Sequence, residues 1–301
     1  MAENWTARRE RGSRSAVHLL VMIARVLGRP VARLILHPVV GYFLLTAPAA
    51  RKASRDYLRR VLARKPRWRD LYRHMYCFAA ATLDRVYMFD QTSSALQISK
   101  HNYRVIEDFR AGGRGAILLV AHLGSFELLR SVGDDSAGIR LRVLMDQASG
   151  AKANAAFSAS QPELFRHVID TSESDVDRVL KVKAALDRGE LVGLMADRCQ
   201  PGERTTNCHF LGDPAPFPLS PWLLAGLTKA PVILAFGLYR GKNRYEMHFE
   251  QFSDRLTLAR AQRQAQAQAY AQAYAHRLEH YARKAPYNWF NFYDFWHKEC
   301  N

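Results

Sequence analysis

The chain has 301 residues, with 44 Lys and Arg against 28 Asp and Glu, which is a formal net charge of +16. Its 48% of hydrophobic residues can build a core, which excludes an intrinsically disordered chain. Only 17 Gly, 12 Pro and 4 Cys are present, which excludes a collagen-like chain and a disulfide scaffold. We therefore expect a folded basic protein with reduced thiols. Its acidic partner could be nucleic acid, an anionic lipid headgroup, coenzyme A or an acidic carrier protein.

The first quarter of the chain combines a strong positive charge with the most apolar stretch, residues 17–50. A membrane span needs about 20 apolar residues, and Arg25, Arg29 and Arg33 interrupt this stretch. Basic residues on both sides leave its orientation in a bilayer undefined. We predict that residues 1–50 form one or two helices lying in, or dipping into, an anionic membrane surface. The alternative is a pair of buried core helices.

The rest of the chain alternates between helical patterns and short apolar runs. Residues 51–90 show the three- and four-residue spacing of amphipathic helices. Short apolar runs predict strands at 116–121, 141–145, 191–196, 231–239 and 245–249. Further helices are predicted at 126–132, 175–188 and 256–284, and a loop at 201–221. This alternation predicts an α/β fold with a mostly parallel central sheet flanked by helices, in one domain covering residues 51–301.

The sharpest local signal is the octapeptide Val-Ala-His-Leu-Gly-Ser-Phe-Glu at residues 120–127. His122 ends a predicted strand, and Glu127 lies in the first turn of a predicted helix. The carboxyl ends of parallel strands are where α/β proteins build their sites, and a tight turn at Gly124 would let the two side chains meet. A carboxylate beside one ring nitrogen would leave the other nitrogen free as a general base. The alternative is a strand-end histidine and a solvated glutamate.

Other common catalytic and binding motifs are missing from the sequence. Ser125 is not flanked as in G-x-S-x-G, and neither a P-loop nor G-x-G-x-x-G occurs. Cys199, Cys208 and His209 do not have the spacing of a common zinc site. We therefore predict neither a hydrolase nucleophile nor a metal site.

The motifs, taken in order, resemble those of the lysophospholipid acyltransferase superfamily, and more closely its bacterial lipid A lauroyl/myristoyl acyltransferase branch. His-x₄-Glu after an apolar strand is similar to the first block. Ala121 and Glu127 stand where glycerolipid members usually carry Asn and Asp, and the Phe-Pro-Glu-Gly block of those members does not occur. Further similar blocks are Met-Ala-Asp-Arg at 195–198, Phe-Leu-Gly-Asp-Pro-Ala-Pro-Phe-Pro at 210–218, Ala-Pro-Val-Ile at 230–233 and Tyr-Asn-Trp-Phe-Asn-Phe at 287–292. The resemblance covers nearly the whole chain.

The resemblance implies a glycerol-phosphate acyltransferase-like fold and an acyltransferase without metal or cofactor. The enzyme would move a fatty acyl chain from the thioester of acyl carrier protein or acyl-CoA to a hydroxyl of a membrane lipid. It would act at the cytoplasmic face of the inner membrane, in lipid A-type or related lipid biosynthesis. His122 would be the general base, and Glu127 would orient it and stabilise its charge.

The resemblance also implies that positive residues hold the acidic headgroup and the developing oxyanion. Arg198 is the first candidate because it follows a predicted strand, and Asp197 would position it. Arg130 and Arg204 are further candidates. Each arginine has the equal alternative of being a solvated surface residue.

Two alternative functions stay open at this point. One is acylation of another lipid, such as an ornithine lipid, a glycolipid or a polyene-type lipid. The other is a non-enzymatic basic protein that binds membranes or nucleic acid, which the net charge alone supports equally well. The placement of His122 and Glu127 at a strand-to-helix turn favours the enzyme, with no nucleic-acid partner.

Overall fold

The computed structural model describes residues 14–88, 96–129, 140–145, 168–170, 174–200 and 202–296. Three helices come first in the chain: α1 (Arg14–Thr46), α2 (Pro48–Val61) and α3 (Trp68–Met88). Helix α1 is kinked at Gly28, whose backbone is non-helical, two residues before a proline. The stretch predicted as helical at 51–90 is thus divided between α2 and α3, and residues 89 and 90 lie outside the described residues.

No single helix in the described part of the chain is both long and apolar enough to cross a membrane. Helices α1 and α2 have the length and apolar composition of a membrane span only when they are taken together, and they are bent by 96° relative to each other. Both helices of the bent pair pack on α3. There, the Asp84 carboxylate is buried and accepts two hydrogen bonds of 2.8 Å from Arg29 and one of 3.0 Å from Arg33.

The strands form a seven-stranded sheet and a separate hairpin. The sheet order is β1-β9-β8-β2-β5-β3-β4, and every neighbouring pair is parallel except β8 and β9. The strands are β1 (Gln97–His101), β2 (Ala116–Val120), β3 (Leu141–Met145), β4 (Val168–Asp170), β5 (Leu191–Met195), β6 (Thr205–Phe210), β7 (Asp213–Pro218), β8 (Val232–Tyr239) and β9 (Arg244–Ser253). The other helices are α4 (Arg104–Ala111), α5 (Asp175–Asp187), α6 (Ser220–Thr228) and α7 (Arg263–Lys284), with 3₁₀ turns at Phe126–Leu129 and Arg260–Gln262.

The predicted mixed α/β fold, with a mostly parallel sheet flanked by helices, is confirmed. Strand β2 lies in the middle of the sheet and is buried along its whole length, as its continuous apolar run predicts. The side chains of β2 alternate between the two faces of the sheet, and each face is covered by its own hydrophobic core. Ile117 and Leu119 pack with α2, α5, α6 and α7, whereas Leu118 and Val120 pack with α1, α3 and α4.

The predicted loop at 201–221 is wrong, because most of it is the antiparallel hairpin of β6 and β7. Its prolines alternate along β7, so that Pro214, Pro216 and Pro218 share one side of the pairing. The intervening residues keep their N–H groups, and a two-stranded ribbon tolerates the prolines.

Other element boundaries also differ from the sequence predictions. Only one 3₁₀ turn is seen within the helix predicted at 126–132, whose last residues lie outside the described part. The helix predicted at 256–284 begins only at Arg263. Strands β1 and β4 and helices α4 and α6 were not predicted. They are a largely exposed edge strand, a three-residue edge strand, a two-turn helix and a nine-residue helix that begins within the predicted loop.

Candidate active site

The site lies at the carboxyl end of the two central parallel strands β2 and β5. In their register Val120 is opposite Met195, so the second residue beyond each strand is also side by side with its counterpart. These residues are His122 and Asp197. The His122 Nδ1 atom lies 2.9 Å from Asp197 Oδ1, so sheet register brings together two groups that are 75 residues apart in the chain.

Asp197 is a buried carboxylate that accepts three hydrogen bonds. Its Oδ2 receives the backbone N–H of His122 at 2.9 Å and the indole N–H of Trp289 at 2.8 Å, while Oδ1 faces His122 Nδ1. Burial by itself raises the pKa of Asp197. The charges and hydrogen bonds of His122, Arg198 and Trp289 outweigh that effect and lower the pKa to about 2. The group is therefore ionised at neutral pH.

The ionised Asp197 determines which nitrogen of His122 carries the proton. A carboxylate only accepts hydrogen bonds, so Nδ1 must be the protonated nitrogen and Nε2 keeps its lone pair. Among the described residues none forms a hydrogen bond with Nε2, and 28% of the His122 side chain is exposed. Burial and the positive charge of Arg198 lower the pKa of His122, against the opposing effects of Asp197 and Glu127. His122 is thus a neutral, accessible base at neutral pH.

Glu127 is not in hydrogen-bond contact with the His122 ring, contrary to the expectation from the sequence. It is buried, its Oε1 forms an ion pair of 2.6 Å with Arg85 on α3, and its Oε2 accepts the Ser125 hydroxyl at 2.9 Å. The 3₁₀ turn after Ser125 directs Glu127 toward α3 instead of toward the end of β5. Its charge still reaches His122, where it raises the pKa. The carboxylate at Nδ1 is Asp197, which the sequence analysis had assigned to positioning Arg198.

The three arginines named as headgroup candidates have different positions. Arg198 is close enough to lower the pKa of His122; its guanidinium donates to the Phe290 carbonyl and lies 5.4 Å from the centre of the Tyr293 ring. The Arg198 Nε is buried and has no hydrogen-bond partner among the described residues. Arg204 is exposed, and Arg130 lies outside the described residues. Only Arg198 is therefore seen next to the histidine.

The predicted turn at Gly124 is present and depends on glycine. Gly124 has φ +71°, and a Cβ atom there would lie 1.7 Å from the carbonyl oxygen of Gly237 on β8. The backbone N–H of Ser125 donates to the same oxygen at 2.8 Å. A side chain at residue 124 would push the loop away from β8, so glycine is required where the chain leaves β2 toward Glu127.

The C-terminal tail completes the site. Trp289 forms an antiparallel bridge with Leu123, the Phe290 N–H donates to the His122 carbonyl at 2.9 Å, and the Gly124 N–H donates to the Asn288 carbonyl at 2.8 Å. The tail thus runs beside the histidine loop as a short extra strand. In the sequence these residues stand out only through the family resemblance, and their contacts could not be predicted because nothing local relates them to residues 122–124.

One cluster of possible metal ligands lies away from this site. His101 and His248 face each other on β1 and β9, and their ligand atoms and that of Glu246 lie within 4.8 Å of one another. Arg240 already contacts Glu246 at 3.0 Å, and the Lys284 ammonium lies 3.5 Å from His248 Nε2. Two cations in place would repel a divalent ion, so we assign no metal to this cluster.

The residues weighed for zinc in the sequence do not form a site either. Cys208 is buried and His209 is exposed, as neighbouring residues on opposite faces of β6. They cannot be directed at one ion without distorting the strand.

Fold and site together describe an α/β protein with a histidine–carboxylate pair at the carboxyl end of its parallel strands. A family model described as bacterial lipid A biosynthesis acyltransferase matches residues 7–298 of the chain. The chain therefore belongs to this family and is an acyltransferase. No curated protein gives a significant match. The predicted family is confirmed, and the match decides for the enzyme over the non-enzymatic binding protein.

Proposed function

We propose that the chain transfers a fatty acyl chain from the thioester of acyl carrier protein or acyl-CoA to a hydroxyl of a membrane lipid, in lipid A-type or related lipid biosynthesis. The observation that carries this proposal is the contact of His122 Nδ1 with the ionised Asp197. This contact leaves Nε2 unprotonated at the end of the sheet where α/β enzymes bind substrates.

In this mechanism Nε2 of His122 removes the proton of the acceptor hydroxyl while its oxygen attacks the thioester carbonyl. The resulting oxyanion collapses, the C–S bond breaks, and the departing thiolate takes the proton back from the imidazolium. Asp197 stabilises the imidazolium that exists between the two proton transfers. A positioned base of this kind contributes about 10²–10⁴-fold to the rate. A thioester is already activated, so a covalent intermediate on the enzyme is not required.

We propose supporting roles for two neighbouring charges. Glu127, held by Arg85 and Ser125, adds a negative charge that raises the pKa of His122 and so opposes the lowering of that pKa by burial. Arg198 supplies a positive charge for the developing oxyanion or for an acidic group of the substrate, and its unpartnered Nε supports this role. Exposed Arg204 and the undescribed Arg130 stay as further candidates for headgroup binding.

We further propose that residues 1–50 attach the acyltransferase domain, residues 51–301, to the cytoplasmic face of the inner membrane. Helix α1 exposes a row of large apolar side chains on both sides of its kink, at spacings of three, four or eight residues. Their exposed fractions are 55% for Met22, 74% for Val26, 69% for Leu34, 61% for Tyr42 and 74% for Leu45. Exposed basic residues such as Arg25 and Lys52 accompany them and would attract anionic headgroups.

The activity is tested with purified full-length protein in detergent. Labelled thioesters of acyl carrier protein and of coenzyme A are offered separately, with a lipid A precursor or an ornithine lipid as acceptor. We expect transfer by the wild type and by His280→Ala, a control at an exposed histidine of α7, but none by His122→Ala. Full activity of His122→Ala would overturn the mechanism. Transfer to ornithine lipid alone would move the proposal to the other lipid class.

Membrane attachment is tested with vesicles containing phosphatidylglycerol. Leu34→Glu together with Leu45→Glu should weaken co-sedimentation, since both residues lie on the exposed row of α1. Leu180→Glu is the matched control, because Leu180 is 61% exposed but lies on α5. Equal retention of the α1 variant and the control would refute this attachment surface.

A further inference from the structure

We propose that Trp289 is a positioning residue for the acyl transfer. Its indole N–H holds the Asp197 carboxylate in the orientation that keeps the His122 proton on Nδ1. The inference rests on the proposed role of His122 and concerns a residue 167 positions further along the chain.

The geometry separates the tasks of the two oxygens of Asp197. Oδ2 is occupied by two donors, the backbone N–H of His122 at 2.9 Å and Trp289 Nε1 at 2.8 Å. Oδ1 is therefore directed at the ring of His122, 2.9 Å from Nδ1. Without the indole donor, Oδ2 would keep only the backbone N–H of His122, and no group outside residue 122 would define the rotation of the carboxylate about its Cβ–Cγ bond.

Trp289 is itself held rigidly. It is fully buried, and its ring contacts those of Tyr57, Phe210 and Phe295 at centroid distances of 5.1, 5.1 and 4.9 Å. These contacts come from α2, from β6 and from the tail. They hold the indole at one angle, so its N–H is already aligned before a substrate binds.

A buried histidine of α3 fixes the backbone of Trp289. His74 Nε2 lies 2.9 Å from the Trp289 carbonyl oxygen, and His74 Nδ1 lies 2.8 Å from the Ser54 hydroxyl. Burial lowers the pKa of His74 to about 4, so the ring is neutral and has a single proton. A carbonyl can only accept, so that proton is on Nε2, and Ser54 donates to Nδ1. The tail is thereby tied to both α2 and α3.

The same tail contains a natural control. Trp296 packs against Phe295 and Trp289, and its indole N–H is also a donor, but the acceptor is the backbone carbonyl of Phe210 at 3.3 Å. It does not touch Asp197. Removing the indole nitrogen at 296 therefore disturbs the aromatic tail in a similar way without changing the donors of the carboxylate.

The test compares Trp289→Phe with Trp296→Phe, using the carrier-protein thioester and a lipid A precursor. For Trp289→Phe we expect kcat to fall about tenfold, which is ~1.4 kcal/mol in the barrier, with KM for the thioester within about twofold. Asp197 would then have one donor fewer and attract the imidazolium more strongly. The pKa of His122 would rise, and the acid limb of kcat/KM would move to higher pH. Trp296→Phe should leave kcat within about twofold and the acid limb unchanged.

A double variant examines whether Trp289 acts through Asp197. In an Asp197→Asn background, Trp289→Phe should cause no further loss, because the general-base contribution that Trp289 supports is already absent. If Trp289→Phe fails to fold, benzothienylalanine at residue 289 has the shape of tryptophan without its N–H and should give the same tenfold loss.

The outcomes distinguish this inference from the proposed function. Wild-type kcat and pH profile in Trp289→Phe, with His122→Ala inactive, would overturn the role of Trp289 and leave the mechanism intact. Equal losses in Trp289→Phe and Trp296→Phe, with equally lowered Tm, would show that packing alone matters and would also overturn it. Activity in His122→Ala would overturn the mechanism itself.

Discussion

Replacing Asp197 by Asn keeps the size of the side chain and removes its charge, so it probes the central contact of the site. Two N–H donors, from His122 and Trp289, point at Oδ2. The amide oxygen of Asn must therefore take the Oδ2 position, and its NH₂ group must face the His122 ring. An NH₂ group donates, so it requires Nδ1 to accept and drives the ring proton onto Nε2.

The expected magnitude follows from that change of tautomer. With a proton on Nε2 the ring has no lone pair for the acceptor hydroxyl, and the whole general-base contribution of about 10²–10⁴-fold in kcat should be lost. The pKa of His122 should also fall further, because Asp197 is one of the groups that raise it. Both donors to Oδ2 keep a partner, so we expect little change in Tm.

The assay measures kcat and KM for the carrier-protein thioester with a lipid A precursor, alongside Tm from circular dichroism. Asp213→Asn is the matched control, since its side chain is 51% exposed and pairs with Arg60 on the surface. A kcat within tenfold of wild type in Asp197→Asn, with an unchanged pH profile, would refute the reasoning from tautomer to rate.

Three further predictions concern pH dependence and stability. Activity should fall at acidic pH, and the midpoint of the acid limb of kcat/KM should lie below the ordinary histidine pKa of 6.5, because burial lowers the pKa of His122. A midpoint above pH 7 in the pH-rate profile would contradict this. Gly124→Ala should lower the free energy of unfolding in urea by at least ~3 kcal/mol, since its Cβ would lie 1.7 Å from the Gly237 oxygen at φ +71°. A decrease below ~1 kcal/mol would contradict the close contact. Asp84→Asn should lower the free energy of unfolding by about 3–5 kcal/mol, because the guanidinium of Arg29, which is 14% exposed, loses the buried carboxylate that it pairs with. The same urea measurement checks it, together with faster tryptic cleavage within α1; unchanged unfolding and cleavage would show that Asp84 does not anchor that helix.

The elements predicted correctly are those whose signal is local and strong. The run at 116–121 is continuous and apolar because β2 is buried on both faces, and 191–196 is similar for β5. Strand β1 was missed because it lies at the sheet edge and is largely exposed, so it carries no apolar run. The prolines at 214–218 predicted a loop, since proline alone does not reveal that it sits on the free side of a two-stranded ribbon.

The candidate site was predicted in part. His122 and the turn at Gly124 were singled out from eight consecutive residues, because a polar side chain after a buried strand and a glycine at a turn are both local features. Glu127 was expected beside His122 on the same basis, and its ion pair with Arg85 depends on where α3 packs. Asp197 was singled out only as a neighbour of Arg198, although it lies two residues beyond its own strand, as His122 does.

By itself, the sequence determined an α/β chain of the lipid A acyltransferase family, with a histidine at the end of a central strand. Only the tertiary structure decided that β5 lies beside β2 and that the tail returns to His122. The choice of Asp197 as the carboxylate at Nδ1, and the contact of Trp289 with it, follow from that arrangement. The physical reason is that periodicity and turn chemistry act over a few residues, whereas strand order and register are set by the packing of the whole core.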